Sequence, residues 1–336
     1  MSTHQEAGWR SDGGEFTRAT EPFRRELLAH CYRMLGSVHE AEDALQETYL
    51  RAWRSYARFE GRSSVRVWMY RIATNACLTA LQGRARRTLP SGLVGPSEDP
   101  DAQPQAAGPA VRWLQPIPDA LVMPESQDPA VIAAARANLR LALIASLQHL
   151  PARQRAVLIL RDVLDLPAAE VAQMLQTSTV AVKSALQRAR ARLAQVQPHA
   201  EDLAEPTEPE AIALLDQYIA AFEQADLPAL ERALRADATL EMTPSPTWFA
   251  GNRHCLRFIA RFLRSPGIYS MRATRANGQP AAAAYRRDDD GVQRAFALVV
   301  LTTTASGIAR IALFDDPGLF ATFGFPPIAL PTPAPR

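Results

Sequence analysis

Between Phe23 and about Arg87 the apolar residues recur at helical spacing. Phe23, Leu27, Leu28, Cys31, Tyr32 and Leu35 fall on one face, and Gly36 ends that helix. Ser37-Val-His-Glu40 reads as a capping box opening a second helix, with Ala41, Leu45, Tyr49, Ala52, Trp53 and Tyr56 along its buried stripe. A loop over Phe59–Ser64 follows, and Ser64 caps a third helix running through Trp68, Ile72, Ala76 and Leu81. The pattern predicts a compact all-α unit.

The pattern then stops. Nine of the chain's 26 prolines lie between Pro90 and Pro129 with no sustained periodicity, which predicts an extended linker. Helical spacing resumes over Val131–Leu150 and Pro151–Val163, then over two shorter stretches, about 168–175 and 179–196. A second acidic linker spans Pro198–Pro209. From Glu210 the pattern is mixed: helices at about 210–225 and 228–235, a helix-like Ala250–Leu263, and strand-like runs at Ala238–Met242, Ala281–Tyr285, Ala295–Thr304 and Ile308–Phe314. The expected layout is a disordered N-terminus (1–20), a helical domain (21–88), a linker (89–130), a second helical domain (131–197), a linker (198–209), an α+β domain (210–328) and a Pro-rich tail (329–336).

Composition narrows the class. Of the 336 residues 47% are apolar and 21% charged, enough to bury a core in each part. Cys31, Cys77 and Cys255 lie far apart without a CxxC pair, which argues against a disulfide framework or structural zinc and fits a reducing cytoplasm. No apolar run reaches the roughly 20 residues of a membrane span, and the first residues lack a signal-peptide core, so a soluble cytoplasmic protein without a membrane partner is expected. The net charge of +2 is unevenly spread: residues 1–200 carry 24 basic against 19 acidic side chains, and residues 201–336 carry 13 against 16. Lys183 is the single lysine among 36 arginines, a bias that a GC-rich genome explains.

The strongest motif runs from Pro167 to Arg190. Val171, Ala172 and Leu175 form the inner face of a short helix, Gln176-Thr177 a tight turn, and Ser178 the N-cap of a second helix whose Val182, Leu186 and Ala189 face inward. Residues 179–195 hold four basic side chains and no acidic one. A helix-turn-helix places such a second helix in the DNA major groove, with early residues at base edges and later arginines at phosphates. The alternative is a helical hairpin with a solvated basic face. Gln176 stands where such turns usually carry glycine, at a cost of about 1–2 kcal/mol if it is forced into the left-handed region.

Upstream, Asp43–Trp53 reads on its own as an amphipathic surface helix. It is followed by Phe59–Cys77, in which three aromatics, three arginines and several hydroxyl or amide side chains interleave. Such a mixture suits stacking on unpaired bases, although Trp68 and Tyr70 fit a core equally well.

Taken together, RRELLAHCYRMLGSVHEAEDALQETYLRAW, FEGRSSVRVWMYRIATNACLTAL and LPARQRAVLILRDVL…AAEVAQML…VAVKSALQRARARL resemble the extracytoplasmic-function group of bacterial RNA polymerase sigma factors in the sigma-70 family. The likeness covers about residues 20–195, with 24–87 like region 2 and 139–195 like region 4. The run Trp113-Leu-Gln-Pro-Ile-Pro-Asp119 and the long C-terminal extension further resemble the SigG and SigJ types, which carry a SnoaL-like, cystatin-type cone domain. The resemblance implies a multidomain fold: two all-α sigma domains, the second with the helix-turn-helix, a Pro-rich linker, and an α+β cone.

The resemblance also implies roles. Asp43, Gln46, Glu47 and Arg51 would dock on the clamp of the polymerase largest subunit, with the flap as a further core contact. Arg62, Ser63 and Ser64 would hold a base flipped from the −10 element, with Arg71, Asn75, Arg84, Arg86 and Arg87 on the surrounding DNA. Ser178, Thr179, Lys183, Ser184, Gln187, Arg188 and Arg190 would read the −35 duplex. Ala185 stands where relatives often carry a larger residue, so base preference does not transfer.

Residues 88–130 carry six acidic side chains against Arg112 alone, which suits either an RNA-mimicking strand in a basic channel or a solvated spacer. In the C-terminal domain Asn277-Gly-Gln-Pro280 falls at a turn, Trp248, Phe249, Phe258, Tyr285 and Phe296 are candidates for lining an apolar pocket, and Asp288-Asp289-Asp290 reads as a solvated hairpin tip. An enzyme would need a positioned acid–base pair, for which Asp315, Asp316 and His254 are the candidates. The expected function is a non-enzymatic promoter-specificity subunit with no cofactor or metal. The expected partners are core polymerase and promoter DNA, and intramolecular docking of the C-terminal domain is the expected means of modulating activity. The rivals are a ligand-sensing helix-turn-helix activator and a SnoaL-like isomerase or cyclase fused to a DNA-binding domain. Residues 41–81 discriminate, because an activator needs no clamp-docking helix or strand-opening loop.

Overall fold

The computed structural model describes residues 14–61, 63–101, 103–196 and 206–329. They form two compact units: the described residues up to Arg86 with those from Leu121 to 196, and Arg87–Ala120 with those from 206 onward.

The first unit is all-helical. Helix α1 covers 14–20 and is followed by a 3₁₀ turn at Glu21–Phe23, α2 (Arg24–Leu35), α3 (Val38–Tyr56) and α4 (Val65–Ala80). Gly36, at φ 67°, closes α2, and the Ser37 hydroxyl caps α3 by accepting from the Glu40 amide at 3.3 Å. Ser64 caps α4 through the Val67 amide at 3.2 Å. The N-terminus was expected to be disordered through residue 20. Instead Phe16 is buried edge-on against Tyr49, Trp53 and Tyr56, and that apolar anchor holds α1 on α3; residues 1–13 lie outside the described set.

After the single turn α5 (Asp119–Val122), within which the unit boundary falls, come α6 (Pro129–Ala137), α7 (Leu141–Leu147), α8 (Ala152–Leu158), α9 (Ala168–Met174) and α10 (Thr179–Val196). The helix expected over 151–163 gives way to a π-turn at Ile159–Val163. The two helical regions share buried polar contacts. The Arg155 guanidinium donates to the Met34, Gln148 and Leu150 carbonyls and to the Gln148 side chain, and Arg33 Nε donates to the Asn138 carbonyl at 3.0 Å. Burial lowers both arginines to about 10, so each stays cationic at neutral pH.

The second unit is built on a six-stranded sheet of order β4-β3-β8-β7-β6-β5. Short strands β1 (Arg87–Thr88) and β2 (Arg112–Trp113) pair in parallel outside it. Helices α11 (Glu208–Glu223) and α12 (Leu227–Ala233) precede β3 (Leu234–Thr243), β4 (Trp248–Ala250), α13 (Asn252–Ala260), β5 (Tyr269–Ala276), β6 (Gln279–Arg287), β7 (Gln293–Thr304), β8 (Gly307–Phe314) and α14 (Gly318–Thr322). All four strand-like runs are strands. The mixed pattern hid β4 and β5, and α13 is shorter than the helix expected over 250–263.

Residues 87–120 are neither a free tether nor a solvated spacer. Leu89, Leu114 and Ile117 are buried within the second unit. Glu241, a buried carboxylate on β3, accepts the Ser91 amide at 3.1 Å. Trp248 Nε1 donates to the Val94 carbonyl at 2.8 Å, Arg257 pairs with Asp101, and Gln115 Nε2 donates to Asp316 at 3.3 Å. The turn at Asn277-Gly278, both with positive φ, grips Ile117 and Asp119; Asp119 Oδ1 accepts the Gly278 amide at 2.7 Å and Oδ2 faces Arg275 at 3.3 Å. The acidic side chains Asp101 and Asp119 are thus matched to arginines of the C-terminal domain. Burial of scattered apolar residues, which leaves no periodic signal, explains why an irregular proline-rich chain is held so closely.

Candidate nucleic-acid and polymerase interfaces

The α3 face carries Asp43, Gln46, Glu47 and Arg51 at positions i, i+3, i+4 and i+8, which share one side of a helix. Asp43 and Gln46 are exposed, and Arg51 Nε pairs with Glu47 at 2.6 Å. Beside them a cavity of about 470 Å³ runs between α1 and α3, lined by Phe16, Glu21, Arg24, Gln46, Leu50 and Trp53 among others. Leu50, half exposed at 51%, and the α1 wall are additions that the sequence reading missed, because α1 was expected to be disordered.

On α4, exposed Ser64, Arg71 and Asn75 fall at i, i+7 and i+11, one stripe of the helix, with Ser63 exposed just before it. Arg62 lies outside the described residues. Trp68 and Tyr70 are buried core: Phe59 packs on Trp68 at 4.9 Å between ring centroids, and Tyr70 meets His30 edge-on at 5.2 Å. The basic run Arg84-Ala-Arg86-Arg87, expected to act as one DNA-binding cluster, spans the unit boundary, and each arginine has a partner within the chain. Arg84 pairs with Glu40 at 2.8 Å, Arg86 donates to His149, and Arg87 starts β1 in the second unit and donates to the Trp113 carbonyl.

The helix-turn-helix is formed by α9 and α10. The turn residue Gln176 has φ 51°, so the left-handed conformation anticipated there is present, and Ser178 Oγ caps α10 by accepting the Ala181 amide at 3.1 Å. Val182 and Ala189 are buried, while Thr179, Lys183, Gln187, Arg188 and Arg190 are exposed and Ser184 partly so. The outward side of α10 therefore carries several polar and cationic side chains, with Val180 also exposed in its first turn. Arg190 differs from the others: it forms a forked pair with Asp162, with oxygens at 2.7 and 2.9 Å, which holds its guanidinium pKa above the ordinary value.

In the second unit the five aromatics make separate contacts. Phe249 and Phe258 stack on each other at 4.7 Å within the hydrophobic core, Phe296 packs on Tyr269, Tyr285 packs on Phe320 and donates to the Pro326 carbonyl, and Trp248 holds Val94. A described cavity of about 420 Å³ lies elsewhere, lined by Arg87, Arg112, Trp113, Pro244, Asp315 and Asp316 among others. Burial raises the Asp315 carboxyl above its usual range. His254, hydrogen-bonded through Nδ1 to the Ala250 carbonyl, is not among the residues lining that cavity, so the acid–base pair is not assembled there. Asp288 and Asp290 pair with Arg294, the latter at 2.6 Å, as fits a hairpin tip. Among the described residues no group of three or more His, Cys, Asp or Glu is arranged to hold a metal ion. No single described helix is long and apolar enough to cross a membrane.

Two family models match the helical unit: Sigma-70 region 2 over residues 20–87, and Sigma-70, region 4 over residues 140–193. The ECF RNA polymerase sigma factor SigG of Mycobacterium tuberculosis is 50% identical over 316 residues, covering 93% of this chain and 84% of that protein. The chain belongs to the ECF sigma factors. SigW of Bacillus subtilis is 28% identical over 184 residues, 55% of this sigma factor and 89% of the relative. The crystal structure of M. tuberculosis SigJ superposes with a TM-score of 0.57 at 20% identity, covering 91% of this chain and 97% of that one, so the shared fold extends to the C-terminal domain. The sigma factor's region 2 model thus holds the α3 and α4 faces, its region 4 model holds α9 and α10, and the segment that grips the C-terminal domain lies between the two models.

Proposed function

We propose that this sigma factor directs core RNA polymerase to promoters through three exposed faces. The α3 face with Asp43, Gln46, Glu47, Arg51 and adjoining Leu50 docks on the clamp of core polymerase. Arg62, Ser63, Ser64, Arg71 and Asn75 hold the opened −10 strand, and α10 lies in the major groove of the −35 element. The observation that carries this reading is the outward side of α10, cationic and without an acidic residue, on a helix capped by Ser178. Phosphate contacts by such cations supply most of the affinity and make it salt-dependent. The protein acts in the cytoplasm beside polymerase, and its C-terminal domain binds and regulates without catalysing.

Run-off transcription with core polymerase on a genomic fragment library tests the whole reading. Promoter-dependent transcripts are expected, reduced by charge reversal at Glu47 and Arg51 with helicity unchanged. Lys183→Ala and Arg188→Ala are each expected to cost about 1–3 kcal/mol if they contact bases. Wild-type transcription from all of these variants overturns the assignment of the faces.

The docked linker supports a regulatory role for the C-terminal domain. The segment joining region 2 to region 4 is held by that domain through Glu241, Trp248, Asn277 and Arg275, so releasing it leaves the direct Arg155 and Arg33 contacts as the restraint on the two DNA-reading regions. Truncation after residue 197 is expected to change transcription relative to the full chain; equal activity sinks the regulatory role.

A further inference from the structure

We infer that Val180 reads sequence, its isopropyl group meeting the 5-methyl of a thymine in the −35 element. The inference rests on the major-groove placement of α10 proposed above and adds a residue that recognition by charge and hydrogen bonding leaves out.

Among the described residues Val180 is the most exposed large hydrophobic side chain, at 71%. A single exposed apolar residue is ordinary on a protein surface. Its position sets this one apart. Val180 stands in the first turn of α10, two residues after the Ser178 cap. Lys183, Ser184 and Gln187 follow at i+3, i+4 and i+7, so the four share one side of the helix. Val182 and Ala189, the buried residues of α10, lie on another side and pack within the helical unit. The stripe that Val180 heads is therefore the one free to enter a groove, and the first turn of a recognition helix is the part that approaches base edges.

The chemistry selects the base. An isopropyl group neither donates nor accepts a hydrogen bond, so it discriminates only through apolar surface. In the major groove the thymine C5-methyl is the one apolar group that a base pair presents. Val is also a weaker helix former than Ala, and at a solvated position without a packing partner that cost has no return within the chain. Lys183, Ser184 and Gln187 supply hydrogen-bonding groups to neighbouring base edges, so the valine contributes the one kind of contact that they cannot.

The test uses the full chain assembled with core polymerase and a promoter library randomised across the −35 element. The wild type is expected to enrich a thymine at one position, and Val180→Ala and Val180→Ser to lose that preference while keeping the rest of the enriched pattern. On the enriched promoter, replacing that thymine by deoxyuracil removes only the methyl. Wild-type initiation is then expected to fall about fourfold, the equivalent of one buried methylene-sized group, and Val180→Ala to be indifferent to the exchange. If the Val180 variants retain the same thymine preference, or if the wild type is indifferent to deoxyuracil at every −35 thymine, the inference is wrong while the groove placement stands. If the wild type enriches no −35 pattern at all, the groove placement fails and the inference fails with it.

Discussion

Asn277 and Ile117, 160 positions apart, exchange two hydrogen bonds: the Asn277 amide donates to the Ile117 carbonyl at 3.0 Å, and the Ile117 amide donates to Asn277 Oδ1 at 3.1 Å. The next turn residue, Gly278, donates to Asp119 at 2.7 Å. Asn277 sits at φ 57°, a conformation that Asn and Gly tolerate. Asn277→Gly therefore keeps the turn and takes away the acceptor of the buried Ile117 amide, loosening the docked segment by about 1–3 kcal/mol. Asp119→Ala removes the Gly278 bond and the Arg275 pair and is expected to have a larger effect. Limited proteolysis of the full chain checks both, as faster cleavage between residues 88 and 118; unchanged cleavage means that docking depends on other contacts.

Arg155 spends its charge on carbonyls rather than on a carboxylate. It donates to Met34, Gln148 and Leu150 from a buried position. Arg155→Met leaves those acceptors without their donor and is expected to destabilise the helical unit by at least about 2 kcal/mol. Lysine cannot reproduce the fork, so Arg155→Lys should recover only part of the loss. Urea unfolding midpoints compare the three proteins.

His30 gives stability a pH dependence. Its Nε2 lies 2.9 Å from Thr74 Oγ1, whose own proton goes to the Tyr70 carbonyl at 2.7 Å, so His30 must donate and carries its proton on Nε2. Burial, with Arg33 adding to it, lowers the ring from 6.5 to about 3. The folded pKa lies below the unfolded one, so between those values the unfolded chain binds more protons. The stabilising effect of neutral His30 is complete above about pH 6.5 and is lost as the pH falls towards 3, by up to about 1.4 kcal/mol per pH unit. The difference in unfolding free energy between His30→Gln and wild type should shrink as the pH drops from 7 to 5; a constant difference refutes the buried neutral ring.

Gln176 holds a left-handed turn that glycine adopts without strain. Gln176→Gly is expected to raise stability by up to about 1 kcal/mol, with promoter binding unchanged because Gln176 precedes α10. Thermal unfolding and −35 duplex binding measure the two effects.

Much of this was readable from residue order. Gly36, Ser37 and Ser64 announced the helix ends because capping is local chemistry, and the turn at Gln176 followed from the spacing between two apolar stripes. The four strands with long apolar runs were equally plain. What the sequence hid depends on distant partners. Phe16 looks like one aromatic in a polar tail until Tyr49, Trp53 and Tyr56 surround it. The five aromatics proposed for a pocket are apolar in any reading, and only the fold shows that Phe249 and Phe258 belong to the core while Trp248 holds Val94. Arg84, Arg86 and Arg87 read as a plain basic run, and their partners Glu40, His149 and Trp113 come from distant parts of the sequence.

The parallel pairing of Arg87 with Arg112 and of Thr88 with Trp113 closes a loop within the chain. Paired strands lie about 4.8 Å apart, so the path from region 2 to region 4 takes a shortcut past everything between residues 89 and 111. Fully extended, the 34 residues from 87 to 120 would reach roughly 120 Å; with the pair closed, the covalent path beyond it runs only from 113 to 120, at most roughly 30 Å, and Ile117 and Asp119 are themselves held by the turn at Asn277. The pairing thus takes residues 89–111 out of the shortest path between the two regions, so the length of that path is set by which residues pair and not by how many lie between.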